Sequence, residues 1–360
     1  MSQPNRNLKT RVIVLFGGES AEHDVSCVTA AHVLRALDAE KYSVTTIGIT
    51  RRGEWIHAEL PTSPDIKSLQ IKGTSTNSDL VLKNLDDETQ LVVFPLLHGP
   101  MGEDGTVQGM LELAHVAYVG SGVLSSAVAM DKSVAKQVLA ANGIDQQKFL
   151  VVRANDDHSQ FADQAIREFG LPLFVKPANM GSSIGVQKAK SREGVLSALQ
   201  IAFEFDEWAL IEEAIVGREI EVALLGNEDP RASLPGEIIP SREFYDYEDK
   251  YLVDGAKLLV PAPLSAKETE QVRQLALRIY KTLRAEGMAR VDFFYEEKRR
   301  DGGAGRGFLC NEINTIPGFT PISMYPKLWQ ASGLSYPQLL DELISLAIAR
   351  QAKRRNKTSR

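Results

Sequence analysis

Four polar side chains near the end of the chain are spaced for chemistry. Arg290 and Asp292 open the apolar run RVDFFY, and Glu312 and Asn314 close the run FLCNEIN. Side chains alternate between the two faces of a strand, so each pair shares a face. The residues between the runs are rich in Lys, Arg, Asp and Gly, which predicts two strands joined by a long glycine-rich turn. An antiparallel pairing would bring two acids, an amide and a guanidinium onto one patch. Asp, Glu and Asn oxygens suit Mg²⁺, which takes few protein ligands and completes its shell with water and phosphate oxygens. The segment 315–320, Thr-Ile-Pro-Gly-Phe-Thr, then forms a turn that exposes backbone N–H groups. A ligand-free alternative fits the same residues: an Arg–carboxylate ion pair within a sheet, because buried carboxylates are costly unless paired or on a metal.

Other stretches carry groups that could surround such a patch. In LPLFVKPANMGSSIGVQK a strand at 173–176 presents Lys176, and a Gly/Ser loop with Ser182 and Ser183 leads to a short strand near Val186. Such a loop is rich in free N–H donors and could close over phosphates. It is not a P-loop, because the lysine precedes it; a plain hairpin turn also fits. In WALIEEAIVGREIEVALLG the strand 209–211 reaches Glu212 and Glu213, with Ile215 and Glu219 beyond. A strand end of this kind could read an adenine and a ribose, or could simply be solvated. Residues 241–261 form a long charged loop whose three tyrosines and one phenylalanine argue against disorder.

The elements that position these groups follow from the apolar pattern. Val12–Phe16 is a continuous apolar run, the mark of a strand buried on both faces. It ends at Gly17-Gly18 and leads to a helix from about Val25 to Leu37, the opening of a doubly wound α/β domain. Strands are expected at 44–49 and 91–96, with 61–90 an irregular excursion carrying a short helix. The third strand delivers HGPMGEDGTVQG, residues 98–109, where open sheets bind ligands. The GxGxxG fingerprint of NAD domains is absent. Asp131 and Ser133 suit a helix start and Gly143 its end. A second α/β unit is expected with a strand at 149–152 and a helix near 159–169; further helices are expected at 266–286 and 335–351.

A chain of 360 residues suits two or three domains. A net charge of −6 implies neither a nucleic-acid nor a membrane partner. No apolar run reaches bilayer length, and the start MSQPNRNLKTR lacks the apolar core of a signal peptide. Cys27 and Cys310 lie far apart, outside any CxxC spacing, and read as thiols of a reducing cytoplasm. The basic tail RQAKRRNKTSR reads as a solvated end.

Taken in order, the motifs resemble the ATP-grasp ligases and, within them, the D-alanine–D-alanine ligases. The runs are GGESAEHDVS (17–26), HGPMGEDGTVQG (98–109), GSGVLSSAVAMDK (120–132), VKPANMGSSIGV (175–186), FYDYEDKY (244–251), RVDFF (290–294) and NEINTIPGFTPIS (311–323). The resemblance spans nearly the whole chain. It implies an α/β, three-domain ATP-grasp fold with an N-terminal doubly wound (pre-ATP-grasp) parallel-sheet domain. Residues 1–130 would form that substrate domain and 131–217 the central ATP-grasp domain with its Gly/Ser lid. Residues 218–360 would form the C-terminal domain with the metal site and the tyrosine-rich loop 241–261. The implied reaction joins two D-alanines through a D-alanyl phosphate at the expense of ATP, for peptidoglycan, in the cytoplasm. The implied cofactors are ATP and two Mg²⁺ ions, with Mn²⁺ a substitute and a monovalent cation admitted; the implied assembly is a homodimer.

The resemblance also assigns residues. Lys132 and Lys176 would contact the nucleotide phosphates, with Ser183 in the lid and Lys250 near the transferred phosphate. Glu212, Ile215 and Glu219 would meet adenine and ribose. Asp292, Glu312 and Asn314 would hold the metals, and Arg290 and the Gly318 N–H would stabilise the oxyanion. Glu22 would anchor the first D-alanine and start a Glu22–Ser182–Tyr251 hydrogen-bond chain across the closed site. Ser323 would bind the second D-alanine, with His98 and Glu103 shaping the same region. Glu213 departs from a common lysine, with a role mainly through backbone, and the hairpin tip DGGAGRG (301–307) has no assigned role. A related ligase making D-alanyl-D-lactate or D-alanyl-D-serine is the alternative. Relatives that use lactate typically lack the FYDYEDKY pattern, so Tyr251 favours the dipeptide. A non-catalytic descendant would have lost a metal ligand or Arg290, and the sequence retains them all.

Overall fold

The computed structural model describes residues 9–60, 67–78, 90–240 and 256–358, with backbone alone from 355. The chain builds three sheets. The first has β1 (Thr10–Gly17), β2 (Tyr42–Ile49), β5 (Leu91–Pro95) and β6 (Ala117–Tyr118) in parallel. Two further strands, β3 (Trp55–Ala58) and β4 (Gly73–Thr76), extend its β2 edge in antiparallel fashion. Sequence reading had 61–90 as irregular; β4 is short, polar and on the edge, so it lacks the apolar alternation that would reveal it. The short helix expected in that stretch falls partly outside the described residues. The run in β1 is buried on both sides: Val12, Val14 and Phe16 face one core, and Ile13 and Leu15 the other. Helix α1 (His23–Ala36) covers the first face.

The strand order β4-β3-β2-β1-β5-β6 reverses direction between β1 and β5. That is the switch point, where the two flanking loops diverge and leave a crevice at the strands' carboxyl ends. The loop after β1 carries Glu22 and the loop after β5 carries His98 and Glu103. Helices α2 (Thr106–Leu113) and α3 (Val123–Met130) follow, both too short for a clear periodic signal in the sequence.

Helix α4 (Lys132–Ala141) starts at once after α3, its N-terminus capped by Asp131, which accepts from the N–H groups of Ser133 and Val134. The second sheet is antiparallel, in the order β7 (Phe149–Arg153), β10 (Trp208–Glu213), β8 (Leu173–Pro177), β9 (Gln187–Ala189). It shares one core with α5 (His158–Phe169) and α6 (Arg192–Ala202).

The third sheet runs β14 (Lys257–Leu259), β13 (Gly236–Ile239), β11 (Arg218–Gly226), β15 (Gly287–Lys298), β16 (Ala304–Asn314), with β12 (Arg231–Ala232) beside β11. Helix α7 (Ala266–Thr282) packs on it and begins with a capping box between Ser265 and Glu268. Helices α8 (Met324–Ala331) and α9 (Tyr336–Thr358) return the chain to the first sheet. Leu339, Leu340, Leu343 and Ile344 join the core of Val12, Val14 and Phe16, and Arg350 donates to the Tyr118 carbonyl at 2.7 Å. Among the described residues no helix is long and apolar enough to cross a membrane.

Candidate active site

The β15–β16 hairpin sets Arg290 opposite Asn314 and Asp292 opposite Glu312, so the four side chains share a face as their spacing required. Arg290 grips Asp292 with two hydrogen bonds of 2.7 Å, and its Nε lies 3.1 Å from Glu221 on β11. Burial works against the guanidinium's charge, but Asp292 and Glu221 outweigh it and hold Arg290 ionised well above its ordinary range. Asn314 Nδ2 donates to Asp292 at 3.0 Å.

A register shift falls between Asp292 and Phe293, where Phe293 pairs with Cys310 and leaves Asn311 as the extra residue. The bulge has a consequence for the site. Strict alternation would put Cys310 and Glu312 on one face. Instead Cys310 turns into the core with Phe293 and Ile313, where burial pushes its thiol up to about 12. Among the described residues no three His, Cys, Asp or Glu side chains form a metal-binding group. Two carboxylates and one amide oxygen on the open face remain a hard-oxygen donor set that fits Mg²⁺, which needs few protein ligands. Asn314 spends its nitrogen on Asp292, and its oxygen is the atom a cation would take.

Three lysines converge from α4 and β8. Lys132 Nζ donates to the Met180 carbonyl at 2.6 Å and stands 3.9 Å from Glu312, so it spans the Gly/Ser loop and the hairpin face. Lys136, one helical turn on, lies 3.1 Å from Glu212 Oε1, and Lys176 lies 2.9 Å from Glu212 Oε2. Burial alone would raise the Glu212 carboxyl, but Lys136 and Lys176 outweigh it and bring it down to about 2. Burial lowers both Lys132 and Lys136. Gln147 Nε2 reaches Glu212 and the bulge residue Asn311, each at 3.1 Å. Ile215 and Glu219 are half-buried beside this cluster in sequence, on the β10–β11 connection and in β11.

At the switch point the chemistry differs. Ser182 donates a hydrogen bond to Glu22, joining the Gly/Ser loop to the first sheet. Glu22 lies between two glycines: a Cβ on Gly181 would come 2.6 Å from its Oε2, and one on Gly99 2.9 Å. Gly99 also has φ +78°, so glycine serves both the turn and the close approach. Ser182 and Ser183 both adopt positive φ. His98 is buried, with Nδ1 3.2 Å from the Ile316 carbonyl, while its Nε2 has no hydrogen-bond partner among the described residues. Glu103 accepts from the Gly99 N–H at 2.9 Å. Burial, reinforced by Glu22, raises its carboxyl to about 8, and burial lowers His98.

The turn after β16 closes the site. Ser323 accepts from the Thr320 N–H at 3.1 Å, and a Cβ on Gly318 would stand 3.1 Å from the Ser323 hydroxyl. Gly318 and Ser323 are therefore neighbours, a few residues beyond Asn314. Lys250 and Tyr251 lie outside the described residues, so only the Glu22–Ser182 link of the expected three-residue chain is visible.

Comparison with known proteins accounts for this arrangement. Residues 11–121 match the family model for the D-ala D-ala ligase N-terminus, and 138–345 match that for the D-ala D-ala ligase C-terminus. The chain belongs to the D-alanine–D-alanine ligase family. It is 45% identical to the D-alanine–D-alanine ligase of Geobacillus kaustophilus, covering 98% of each chain. It is 48% identical to that of Caldicellulosiruptor bescii, covering 97% of this chain and 98% of the relative. Among solved structures, the D-alanine–D-alanine ligase from Coxiella burnetii matches with a TM-score of 0.79 at 35% identity, over 97% of this chain and 96% of that one. The VanG D-Ala:D-Ser ligase from Enterococcus faecalis matches with 0.78 at 35% identity, over 94% and 99%. Members of the family use ATP and Mg²⁺, and the fold is theirs: a mixed N-terminal sheet followed by two antiparallel sheets.

Several residues of the site escaped sequence reading. Lys136 had a signal, since it lies four residues after Lys132 and so on the same helical face. Glu221, Gln147 and Asn311 had none, because their partners come from distant segments. Glu213 is more than a backbone contact: Arg306 bonds it at 2.9 Å and Glu296 at 2.7 Å. The hairpin tip thus has a use, tying β16 to the end of β10.

Proposed function

We infer that the chain joins two D-alanines into D-alanyl-D-alanine with ATP, the reaction that supplies the dipeptide for peptidoglycan. The observation that carries this reading is the meeting of three sheets at one place: Lys132 spans the Gly/Ser loop and the hairpin face, while Ser182 joins that loop to Glu22. A site so divided can hold a nucleotide between two antiparallel sheets and an amino acid against the first. A carboxylate is a poor acyl donor, so one oxygen of the first D-alanine attacks the γ-phosphorus and ADP leaves. The neutral amine of the second D-alanine then attacks the acyl carbon, gives up a proton, and the tetrahedral adduct collapses to the amide by breaking the C–O bond to phosphate, which departs. Phosphoryl transfer of this kind depends on positioning and charge neutralisation.

The roles divide accordingly. Lys132 and Lys176 hold phosphate oxygens, with Ser183 and Lys250 beside them. Glu212, Ile215 and Glu219 take the base and ribose. Asp292, Glu312 and Asn314 would hold two Mg²⁺, with Mn²⁺ as a substitute. When bound, these ions neutralise charge on the transferring group. Arg290 and the Gly318 N–H face the developing oxyanion. Glu22 receives the first D-alanine's ammonium. Ser323 takes the second D-alanine's carboxylate, and Tyr251 closes the chain begun by Glu22 and Ser182. The lid excludes water from an acyl phosphate that would otherwise hydrolyse. The same reading divides the chain at about 130 and 217, and includes a homodimer in the cytoplasm with a monovalent cation admitted.

ADP release with D-alanine, L-alanine, D-serine and D-lactate offered separately, and with D-serine or D-lactate beside D-alanine, tests this. D-Alanine alone is expected to sustain turnover. Absence of D-alanine-dependent turnover overturns the reading. The likeness to a D-Ala:D-Ser ligase favours one second reading, and turnover that requires D-serine beside D-alanine would establish it.

A further inference from the structure

Glu212 carries one charge and meets two buried lysines. One lysine would neutralise it. A buried ion pair is already near break-even, because desolvation offsets attraction. The second ammonium adds its own desolvation and leaves the triad with an excess positive charge. Stability therefore gives no reason for Lys136, whose position over the Phe149 ring, 5.5 Å from Nζ to the ring centroid, an apolar side chain would also fill.

The polar atoms here are also unsaturated. Glu212 Oε2 is filled by Lys176 and the Gln147 amide. Lys136 Nζ, Glu212 Oε1 and Gln147 Oε1 are buried without a well-directed hydrogen bond among the described residues. Lys136 lies close enough to Oε1 to fix it electrostatically, yet leaves a lone pair of that oxygen open. Buried polar groups are rarely left without a partner, whether protein, water or ligand.

We propose that Lys136 is a positioning residue for the nucleotide. It holds Glu212 so that Oε1 accepts from the exocyclic amine of the base, and the pair thereby selects a 6-aminopurine over a 6-oxopurine. The inference rests on the reading of the chain as an ATP-using ligase with Glu212 at the base. In that reading Lys176 must serve the phosphates as well as Glu212. Lys136 has only Glu212, and keeps the carboxylate aligned when Lys176 shifts. A carboxylate only accepts, so a 6-oxo group would meet it acceptor to acceptor.

Steady-state kinetics of wild type, K136M and K136Q with ATP and with ITP, which differs at that ring position, test this. D-Alanine-dependent ADP release by the wild type is read first; its absence overturns the function, whereas its presence leaves this inference to stand or fall alone. The wild type is expected to prefer ATP strongly, and equal use of ITP overturns the selection. K136M is expected to raise KM for ATP about tenfold and to shrink the ATP-to-ITP ratio of kcat/KM about tenfold, with KM for D-alanine within about twofold. K136Q, which keeps a donor without the charge, falls between the two, and is read by the same criteria if K136M does not fold. A folded variant with unchanged KM for ATP and unchanged ratio overturns the proposal. So does a parallel rise in KM for ATP and D-alanine, the sign of a merely structural role.

Discussion

Glu212 and Glu103 are both removed from water, at opposite ends of the site, and their carboxyls move in opposite directions. Glu212 is brought to about 2 and Glu103 is raised to about 8. The difference lies in what each meets. Glu212 faces two ammonium groups within 3.1 Å. Glu103 faces a second carboxylate, Glu22, and a histidine that burial keeps neutral, with backbone hydrogen bonds from Gly99, at 2.9 Å, and from Ile316, and more remote help from Lys132. At neutral pH one end of the site presents a fixed, ionised acceptor, and the other presents a carboxylic acid that keeps its proton. Burial pushes both carboxyls up; at Glu212 the two lysines reverse it, and at Glu103 the second carboxylate adds to it.

The same substitution at the two positions gives the sharpest test. E212Q leaves two buried ammonium groups without a counter-ion and is expected to cost about 3–5 kcal/mol of unfolding free energy. E103Q replaces the protonated acid by a neutral group that has no proton to release on unfolding, so at pH 7 it is expected to leave stability unchanged or to raise it. Urea unfolding at pH 7 reads both, and equal costs would break the comparison.

Next in size is the link between the ends. S182A removes the hydrogen bond from the Gly/Ser loop to Glu22 and leaves the lysine cluster intact. It is expected to raise KM for D-alanine about tenfold while KM for ATP stays within about twofold. Initial-rate kinetics with each substrate varied in turn would show a rise in both if the two ends were one unit.

The same pair is separated again by the pH dependence of stability. The folded chain keeps the Glu103 proton up to about pH 8, whereas the unfolded chain gives it up near the ordinary 4.5. The stability this supplies is complete below pH 4.5 and is lost as pH rises through 8. E103Q is therefore expected to flatten the decline in thermal midpoint between those values. A wild-type profile as flat as the variant's would refute the raised carboxyl.

The sequence went furthest where the backbone's own repeat governs. The two-residue spacing of Arg290 with Asp292, and of Glu312 with Asn314, placed all four on one face, and the register confirms it. The unbroken run Val12–Phe16 announced a strand covered on both sides, and Asp131 announced the start of α4. The edge strand β4 and the short helices α2 and α3 were not legible, because so few residues carry no distinct period. The bulge at Asn311 was hidden for another reason. Its extra residue is accommodated by the partner strand and by Gln147 and Asp145, which lie far away in sequence.

By itself, then, the sequence determined which side chains share a face and which motifs stand beside glycine turns, since strand and helix periods are properties of the local backbone. Only the tertiary structure decided which of those side chains meet across segments. Glu212 is ionised because α4 and β8 bring lysines to it, and Glu103 keeps its proton because the switch point buries it and sets it beside Glu22. Charge state depends on desolvation and on partners from distant elements, and neither is set by neighbours along the chain.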